Sequence, residues 1–506
     1  GSTGTGKSNA VYHLLDEITK NGQTTFLVVE PAKGEYKNVF GNCTDVQVFG
    51  TNPRETPLLR MNPFAFPENI HILEHIDRLV EIFNACWPMY AAMPAVLKDA
   101  IECSYQKVGW DLRNSESEKG VFPTFFDLLD ILPGVIEESH YSKDTQSDYV
   151  GALCTRVKSL TNGIYGSVLC AEDALTDEAL FDRNVIVDLS RVGSMETKSL
   201  LMGILVMKLQ EYRMCSSGMN SRLRHVTVLE EAHNLLRKTS AEQSQEGANL
   251  QGKSVEMLAN AIAEMRTYGE GFIIADQAPG LLDMSVIRNT NTKIILRLPD
   301  EEDRKLVGKS AALKEVQIDE LSKLPLGVAA VYQNEWPEAV LCKIEAYPMP
   351  ENAVYHKPSK MPHEINAEFV FGQLAVGKEL EPLSSSEMEQ LKLWLKRHET
   401  VLKPEDSRYL ERVFAGGELD VAKTRKAVFD FFGGIGTVVD YCAAAKKSLT
   451  PRKEFLEQLQ GQYGLKAAAA DWVLNSVISM GMSLNPDAKA VDNLRTNFEQ
   501  QGGRVL

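Results

Sequence analysis

The chain opens with Gly1-Ser2-Thr3-Gly4-Thr5-Gly6-Lys7-Ser8, which fits the pattern GxxxxGK[ST] at every fixed position. Glycines let a backbone curl so that successive N–H groups point at phosphate oxygens, and a following helix offers its positive end to the same anion. The apolar residues between positions 9 and 19 recur at the spacing of one helix face, which predicts such a helix directly after the loop. We therefore predict an ATP-binding loop, in which Lys7 reaches the β- and γ-phosphates and the Ser8 hydroxyl ligates Mg²⁺. Its binding residues are Gly1, Thr3, Gly4, Thr5, Gly6, Lys7 and Ser8.

Besides the phosphate-binding loop, ATP hydrolysis needs carboxylates at the end of a nearby strand. The strand-prone run Val226–Leu229 ends in Glu230 and Glu231, the acidic pair, which gives a Walker B pattern. We predict that Glu230, at a position where Asp is commoner, holds Mg²⁺ through water. Glu231 is predicted to position and activate the attacking water.

The spacing of apolar residues predicts the organisation of the chain. Residues 1–61 and 180–347 alternate strand-like and helical patterns, which predicts an α/β core with a mainly parallel sheet. Residues 62–179 are predicted to form a helical insertion. Residues 348–506 are predicted to be a proline-marked linker followed by a helical region. The predicted core strands are residues 24–29, 184–189, 226–229, 271–275, 293–298 and 328–332. Because phosphate-binding loops follow a strand, we expect an N-terminal segment before Gly1.

Composition narrows the class of protein. The eight cysteines are widely spaced and form no zinc pattern, which favours reduced thiols in a cytosolic protein. His225 and His233 flank the acidic pair, but the sequence places no third metal ligand near them. No apolar run reaches the roughly 18 residues of a membrane span. The net charge of −15 argues against a surface coated with nucleic acid but permits a narrow basic pore.

Several segments jointly resemble one family. The run LEEAHNLL at 229–236 resembles the acidic strand of HerA-type and related type IV secretion ATPases. The run FLVVEPAKGEY at 26–36 resembles the family's second strand and the loop after it. The runs EMRTYG at 264–269, GFIIADQAPGLLD at 271–283 and NTKIILRL at 291–298 resemble its Arg-x-x-Gly helix end, its glutamine-bearing sensor strand and the next strand. The chain thus resembles the central domain of HerA/FtsK-family translocases, up to residue 298.

The resemblance implies a RecA-like P-loop core and roles for further residues. Gln277 is expected to sense the γ-phosphate, and Arg266 to act as an arginine finger in a neighbouring subunit's site, with Arg297 as a rival. Glu30, Lys33 and Glu35 are expected either to line the site or subunit interface or to form an ordinary loop. The resemblance also implies a homohexameric ring that pumps DNA, usually duplex, without reading its sequence. The polar stretch 238–253 is a candidate pore loop.

Other functions stay open. HerA-like proteins often work with a nuclease, an NADase or another effector subunit, in some cases in bacterial antiviral defence. A type IV secretion or conjugation ATPase shares the same motifs and a similar insertion near Asn62-Pro63-Phe64. A scaffold that uses ATP only to assemble an effector is a third alternative. DNA-stimulated ATP hydrolysis separates the first two, and the variant Glu231→Gln separates the motor from the scaffold.

Overall fold

The computed structural model describes residues 4–20, 22, 24–90, 92–117, 120–171, 174–239, 250–349, 353–357, 404–414, 420–447, 450–463, 467–503 and 505. The chain divides into two compact units, Gly1–Lys357 and Pro358–Leu506. Within the first unit, the strands are β1 (Thr25–Glu30), β2 (Val46–Gly50), β3 (Trp110–Asp111), β4 (Glu116–Ser117), β5 (Asn184–Asp188), β6 (His225–Glu230), β7 (Glu270–Ala275), β8 (Thr292–Ile295), β9 (Val328–Gln333) and β10 (Val340–Lys343).

Helices of the first unit alternate with these strands. They are α1 (Lys7–Thr19), α2 (Tyr36–Phe40), α3 (Ile72–Cys86), α4 (Met93–Lys107), α5 (Phe125–Glu138), α6 (Lys143–Tyr149), α7 (Thr155–Thr161), α8 (Gly163–Leu169), α9 (Asp177–Phe181), α10 (Met195–Ser216), α11 (Leu250–Glu264), α12 (Met284–Asn289), α13 (Glu301–Ser310) and α14 (Glu315–Glu320). A π-helical turn, Val150–Cys154, separates α6 from α7. The helices α3 to α8 fall inside the segment 62–179.

A five-stranded parallel sheet, ordered β2-β5-β1-β6-β7, forms the centre of the first unit. Its apolar side chains alternate between two faces. Phe26 and Val28 pack in a core that includes residues of α1 and α2. Leu27 and Val29 belong to a larger core that includes α3, α10 and α11. Cover on both faces explains why β1 is a continuous apolar run rather than an alternating one. The predicted α/β class with a mainly parallel sheet is confirmed.

The predicted strands near positions 293 and 328 have a different partner from the one expected. β8 and β9 join β10 in a separate antiparallel sheet, ordered β10-β9-β8. In β8, Thr292 and Ile294 are exposed while Ile295 is buried. This one-sided burial is typical of antiparallel sheets with one solvated face. The strand β2 and the small strands β3, β4 and β10 were not predicted.

The second unit is helical where it is described. Its helices are Pro404–Phe414, Val421–Phe431, Gly434–Ala445, Pro451–Tyr463, Ala467–Leu484 and Ala488–Gln500. Their apolar faces share a core around residues such as Phe431, Tyr441 and Ile478. In the described part of the chain, no single helix is long and apolar enough to cross a membrane, although the bent pair Ala422–Phe431 and Gly434–Ala445 meets the length and composition criteria jointly.

Candidate functional site

The phosphate-binding loop turns directly into α1. Gly4 and Gly6 have φ angles of 75° and 98°. These left-handed conformations carry a steric penalty for residues with a Cβ atom. Gly6 is the N-cap of α1, so Lys7 and Ser8 stand in the first helical turn, where free N–H groups and the helix dipole favour an anion. Gly1 and Thr3 lie outside the described residues, and Thr5 is buried.

The acidic pair faces Lys7. β6 ends at Glu230, and the Lys7 Nζ lies 2.7 Å from Glu230 Oε2 and 2.7 Å from Glu231 Oε1. Burial disfavours the charged form of Lys7, but the two carboxylates outweigh burial and raise the pKa of Lys7. The three side chains therefore form a compact ionic group that joins the loop to the neighbouring strand.

Gln277 completes this group. β7 pairs with β6 in parallel, with Glu230 beside Ala275, so the residues that follow the two strands meet at one edge of the sheet. Gln277 Nε2 donates to Glu231 Oε1 over 2.6 Å. The structure thus brings together Lys7, Glu230, Glu231 and Gln277, all four at the carboxyl edge of the sheet. In open α/β sheets this edge is where ligands bind.

Glu231 has an unusual backbone. Its φ of 45° lies in the left-handed region, which is sparsely populated by residues other than glycine. The backbone N–H and the side-chain amide of Asn234 both donate to the Glu231 carbonyl oxygen, over 2.9 and 2.7 Å. A non-glycine residue persists in such a conformation only where its surroundings hold it, and such positions cluster at active sites.

Three polar residues of the site were not predicted from the sequence. The Tyr36 hydroxyl donates to Glu230 Oε1 over 2.5 Å and is buried. His233 Nδ1 lies 2.9 Å from Asp276 Oδ2 and 3.7 Å from Glu231 Oε2. The sequence places no third ligand near His233, but the structure brings Asp276, which is 43 positions away, next to it. Potential ligand atoms of Glu231, His233 and Asp276 lie within 4.8 Å of one another, and His233 is hydrogen-bonded to Asp276.

The loop after β1 is shaped by a buried carboxylate. Glu30 accepts the backbone N–H groups of Glu35 and Tyr36 over 2.8 and 3.1 Å. Burial raises the pKa of Glu30 to about 7, although these two hydrogen bonds oppose the rise. Lys33 and Glu35 are half-exposed and lie 3.6 Å apart, which is a surface arrangement. Glu30 therefore organises the backbone beside the site.

The candidate arginine finger Arg266 lies away from this group. Arg266 is exposed and precedes β7, whereas Gln277 follows it, so Arg266 lies at the opposite edge of the sheet from Glu231. A six-residue strand spans about 20 Å, farther than an arginine side chain reaches. Arg297 is exposed and follows β8. Most of the candidate pore loop, residues 240–249, lies outside the described residues.

The donor set of the site suits a nucleotide with Mg²⁺. Hard carboxylate and hydroxyl oxygens are the ligands that Mg²⁺ prefers, and Glu230 and Ser8 supply them. A glycine loop at a helix N-terminus, a lysine and an acidic pair on a parallel strand define a RecA-like P-loop nucleoside triphosphatase.

Comparisons with known proteins agree with this class. The family described as "Helicase HerA, central domain" matches residues 1–208. The DNA double-strand break repair helicase HerA of Sulfolobus acidocaldarius is 26% identical in an alignment of 361 residues that covers 68% of this chain and 64% of that protein. The first part of the chain is thus similar to the HerA central domain, and the longer alignment is similar to a HerA-type helicase. The chain spans just under two thirds of the length of the curated relatives it matches.

Solved structures share the fold. VirB4 of Thermoanaerobacter pseudethanolicus superposes with a TM-score of 0.53 at 19% identity, over 69% of this chain and 88% of that one. The plasmid coupling protein TrwB, in complex with the ATP analogue ADPNP, gives a TM-score of 0.50 at 14% identity, over 71% and 87% of the two chains. The RecA-like P-loop fold expected from the sequence is confirmed.

Proposed function

We propose that this chain is the ATP-hydrolysing subunit of a ring motor that moves duplex DNA. One observation carries the proposal, namely that Glu231 is held between Lys7 and Gln277, so that groups for phosphate binding, water activation and sensing meet at one point. The match to the HerA central domain supports DNA as the substrate. The relative from Sulfolobus acidocaldarius is named as a DNA repair helicase.

Hydrolysis requires the ionic group to rearrange. Lys7 contacts both acidic residues and must leave at least one of them to neutralise the β- and γ-phosphates of ATP. Ser8 and Glu230 would hold Mg²⁺, which supplies further charge neutralisation when bound. Glu231, once released by Lys7, is free to accept a proton from the attacking water. The Gln277 amide donates to Glu231 before nucleotide binds and can exchange that contact for one with the γ-phosphate.

A ring explains how an arginine reaches the site. Arg266 lies at the sheet edge remote from its own subunit's Glu231, so it could reach a nucleotide only in an adjacent subunit. We propose Arg266 as this trans-acting finger and keep Arg297 as its rival. Such a residue stabilises transition-state charge only after assembly, which makes hydrolysis depend on oligomerisation. A hexamer is the assembly we propose.

The proposed domain organisation follows from the helical and strand-like patterns of the sequence. We propose a core of residues 1–61 and 180–347, an insertion of residues 62–179, and a C-terminal region of residues 348–506. All five parallel strands fall within that core.

We also propose a cytoplasmic location and an effector subunit, such as a nuclease or NADase, that works with the motor in antiviral defence. The alternative of a conjugation ATPase is favoured by one observation, the similarity of fold to the plasmid coupling protein TrwB.

The test combines mass and turnover. We would measure the mass of the protein with and without ATP and duplex DNA, and ATP hydrolysis with and without DNA. The motor predicts an ATP-dependent hexamer and DNA-stimulated hydrolysis. Glu231→Gln should lower kcat at least about 100-fold while nucleotide binding persists, whereas the exposed-site control Glu17→Gln should match the wild type. Hydrolysis indifferent to DNA would favour the conjugation alternative, and a persistent monomer would refute the ring.

A further inference from the structure

Asp276 joins the two loops that carry the acidic pair and Gln277. Its Oδ2 accepts the backbone N–H of His233 over 2.9 Å and also lies 2.9 Å from His233 Nδ1. Its Oδ1 accepts the backbone N–H of Ala278 over 2.9 Å. One carboxylate therefore connects the turn after β6 with the loop after β7.

The carboxylate is built into the fold rather than displayed on the surface. The Asp276 side chain is only 3% exposed. Burial alone would raise the pKa of Asp276, but His233 and the two backbone N–H groups outweigh burial and hold it below the usual range. Asp276 is therefore an ionised acceptor, and charge-assisted hydrogen bonds of this kind are stronger than neutral ones.

The positions of these bonds determine what Asp276 constrains. Gln277 lies between Asp276 and Ala278, so the Oδ1 bond closes a tight loop around the residue that carries the sensing amide. His233 lies two residues after Glu231, so the Oδ2 bonds hold the turn in which Glu231 adopts its left-handed backbone. The contact of 2.6 Å between Gln277 and Glu231 is set by backbone segments that Asp276 ties together.

We propose that Asp276 is a positioning residue for ATP hydrolysis, which fixes the sensing amide of Gln277 against the catalytic carboxylate of Glu231. His233 assists as the partner that orients Asp276. This inference rests on the proposed function, because it assigns Glu231 and Gln277 their roles in hydrolysis. Asp276 itself need not touch nucleotide, so its loss should reduce turnover far more than nucleotide binding.

The test uses the full chain and a matched control. Asp283 also accepts a backbone N–H, that of Ser285 over 2.9 Å, and caps α12 in the same segment, but no hydrogen bond joins it to Glu231 or Gln277 among the described contacts. We would measure ADPNP affinity by calorimetry and kcat per nucleotide-binding site for Asp276→Ala, Asp276→Asn and Asp283→Asn. Thermal unfolding would verify that each variant is folded, and Asp276→Asn, which keeps one acceptor oxygen, serves if Asp276→Ala does not fold.

Misplacing a catalytic group by about 1 Å can cost on the order of 100-fold in rate, so partial loosening by Asp276→Ala should lower kcat at least about tenfold. ADPNP affinity should stay within about twofold, with Asp276→Asn intermediate and Asp283→Asn near the wild type. The inference is overturned if Asp276→Ala keeps wild-type kcat, if it loses affinity as much as kcat, or if Asp283→Asn is equally slow. The variant Glu231→Gln separates failure of the proposed function from failure of this inference. Full activity of Glu231→Gln refutes the proposed function. An inactive Glu231→Gln together with a fully active Asp276→Ala refutes only the positioning role of Asp276.

Discussion

The guanidinium of Arg213 holds the amino edge of the central sheet, and replacing it should destabilise the first unit. Arg213 Nε donates to Glu270 Oε2 over 3.0 Å, and both side chains are fully buried. Its other nitrogens donate to Asp182 and to the carbonyl oxygen of Phe181. In Arg213→Met, the Glu270 carboxylate stays buried at the first residue of β7 with its cationic partner removed.

The size of the effect follows from the remaining contacts. Removing one partner of a buried ion pair costs about 3–5 kcal/mol of unfolding free energy. Glu270 still faces His225 Nδ1 at 2.7 Å and accepts from Thr227 Oγ1 over 2.8 Å, so the lower limit applies, about 3 kcal/mol. Asp182 is 27% exposed, and the loss of its contact adds less than about 1 kcal/mol. At roughly 2 °C per kcal/mol for a unit of this size, the unfolding midpoint should fall by about 6 °C.

Thermal unfolding of three variants tests this estimate. Adding Glu270→Gln to Arg213→Met removes the uncompensated charge and should restore about half of the lost stability or more. Arg191 provides the control, because it is 61% exposed and pairs with Glu55, so Arg191→Met should shift the midpoint by no more than about 2 °C. If Arg213→Met and Arg191→Met are equally mild, or if Glu270→Gln gives no recovery, the network does not stabilise the sheet as described.

Two further predictions concern the other edge of the sheet. Tyr36→Phe removes the buried hydroxyl that donates to Glu230. Denaturant unfolding of the nucleotide-free protein should therefore show a free energy of unfolding lower by about 1.5–3 kcal/mol, and a decrease below about 0.5 kcal/mol would contradict the contact. Glu30 has a folded-state pKa of about 7 against an ordinary value of 4.5, so its contribution to stability is present below pH 4.5 and is lost as pH rises through 7. Glu30→Gln cannot titrate, so its stability relative to the wild type should rise by up to about 3 kcal/mol between those pH values, and a difference independent of pH in parallel unfolding curves would exclude the assignment.

Local patterns in the sequence predicted the parts of the fold that depend on neighbouring residues. The loop from Gly4 to Gly6 is followed at once by a helix, and the strand ending at Glu230 is a short, mostly apolar run. Each of these two features is encoded by a continuous stretch of the sequence, so it could be predicted without knowing any contact between distant residues. The parallel arrangement also followed from alternating strands and helices, because parallel neighbours need a crossover between them.

Features that depend on register between distant segments could not be predicted. Tyr36 meets Glu230 across 194 positions, and Asp276 meets His233 across 43. Each contact exists because parallel strands end at the same edge of the sheet. The sequence also did not predict that β8 and β9 belong to a separate antiparallel sheet, because an apolar run of four to six residues does not specify which strand it pairs with. Asp276 directly precedes Gln277 in the sequence, but a single acidic residue in a loop does not predict which residues its side chain contacts.

The carboxyl edge of the sheet concentrates negative charge in a way that makes the site responsive to phosphate. Its acids are Glu30, Asp188, Glu230 and Asp276, one on or just after each of four adjacent strands. Most are held by partners that belong to the protein's own framework: backbone N–H groups for Glu30, Lys37 at 2.6 Å for Asp188, and His233 for Asp276. Glu230 and its neighbour Glu231 share Lys7, the residue whose proposed ligand is a phosphate. A triphosphate entering the loop therefore competes for this one cation, and the residues released are the acidic pair proposed to bind Mg²⁺ and activate water, so binding itself would prepare the site for hydrolysis.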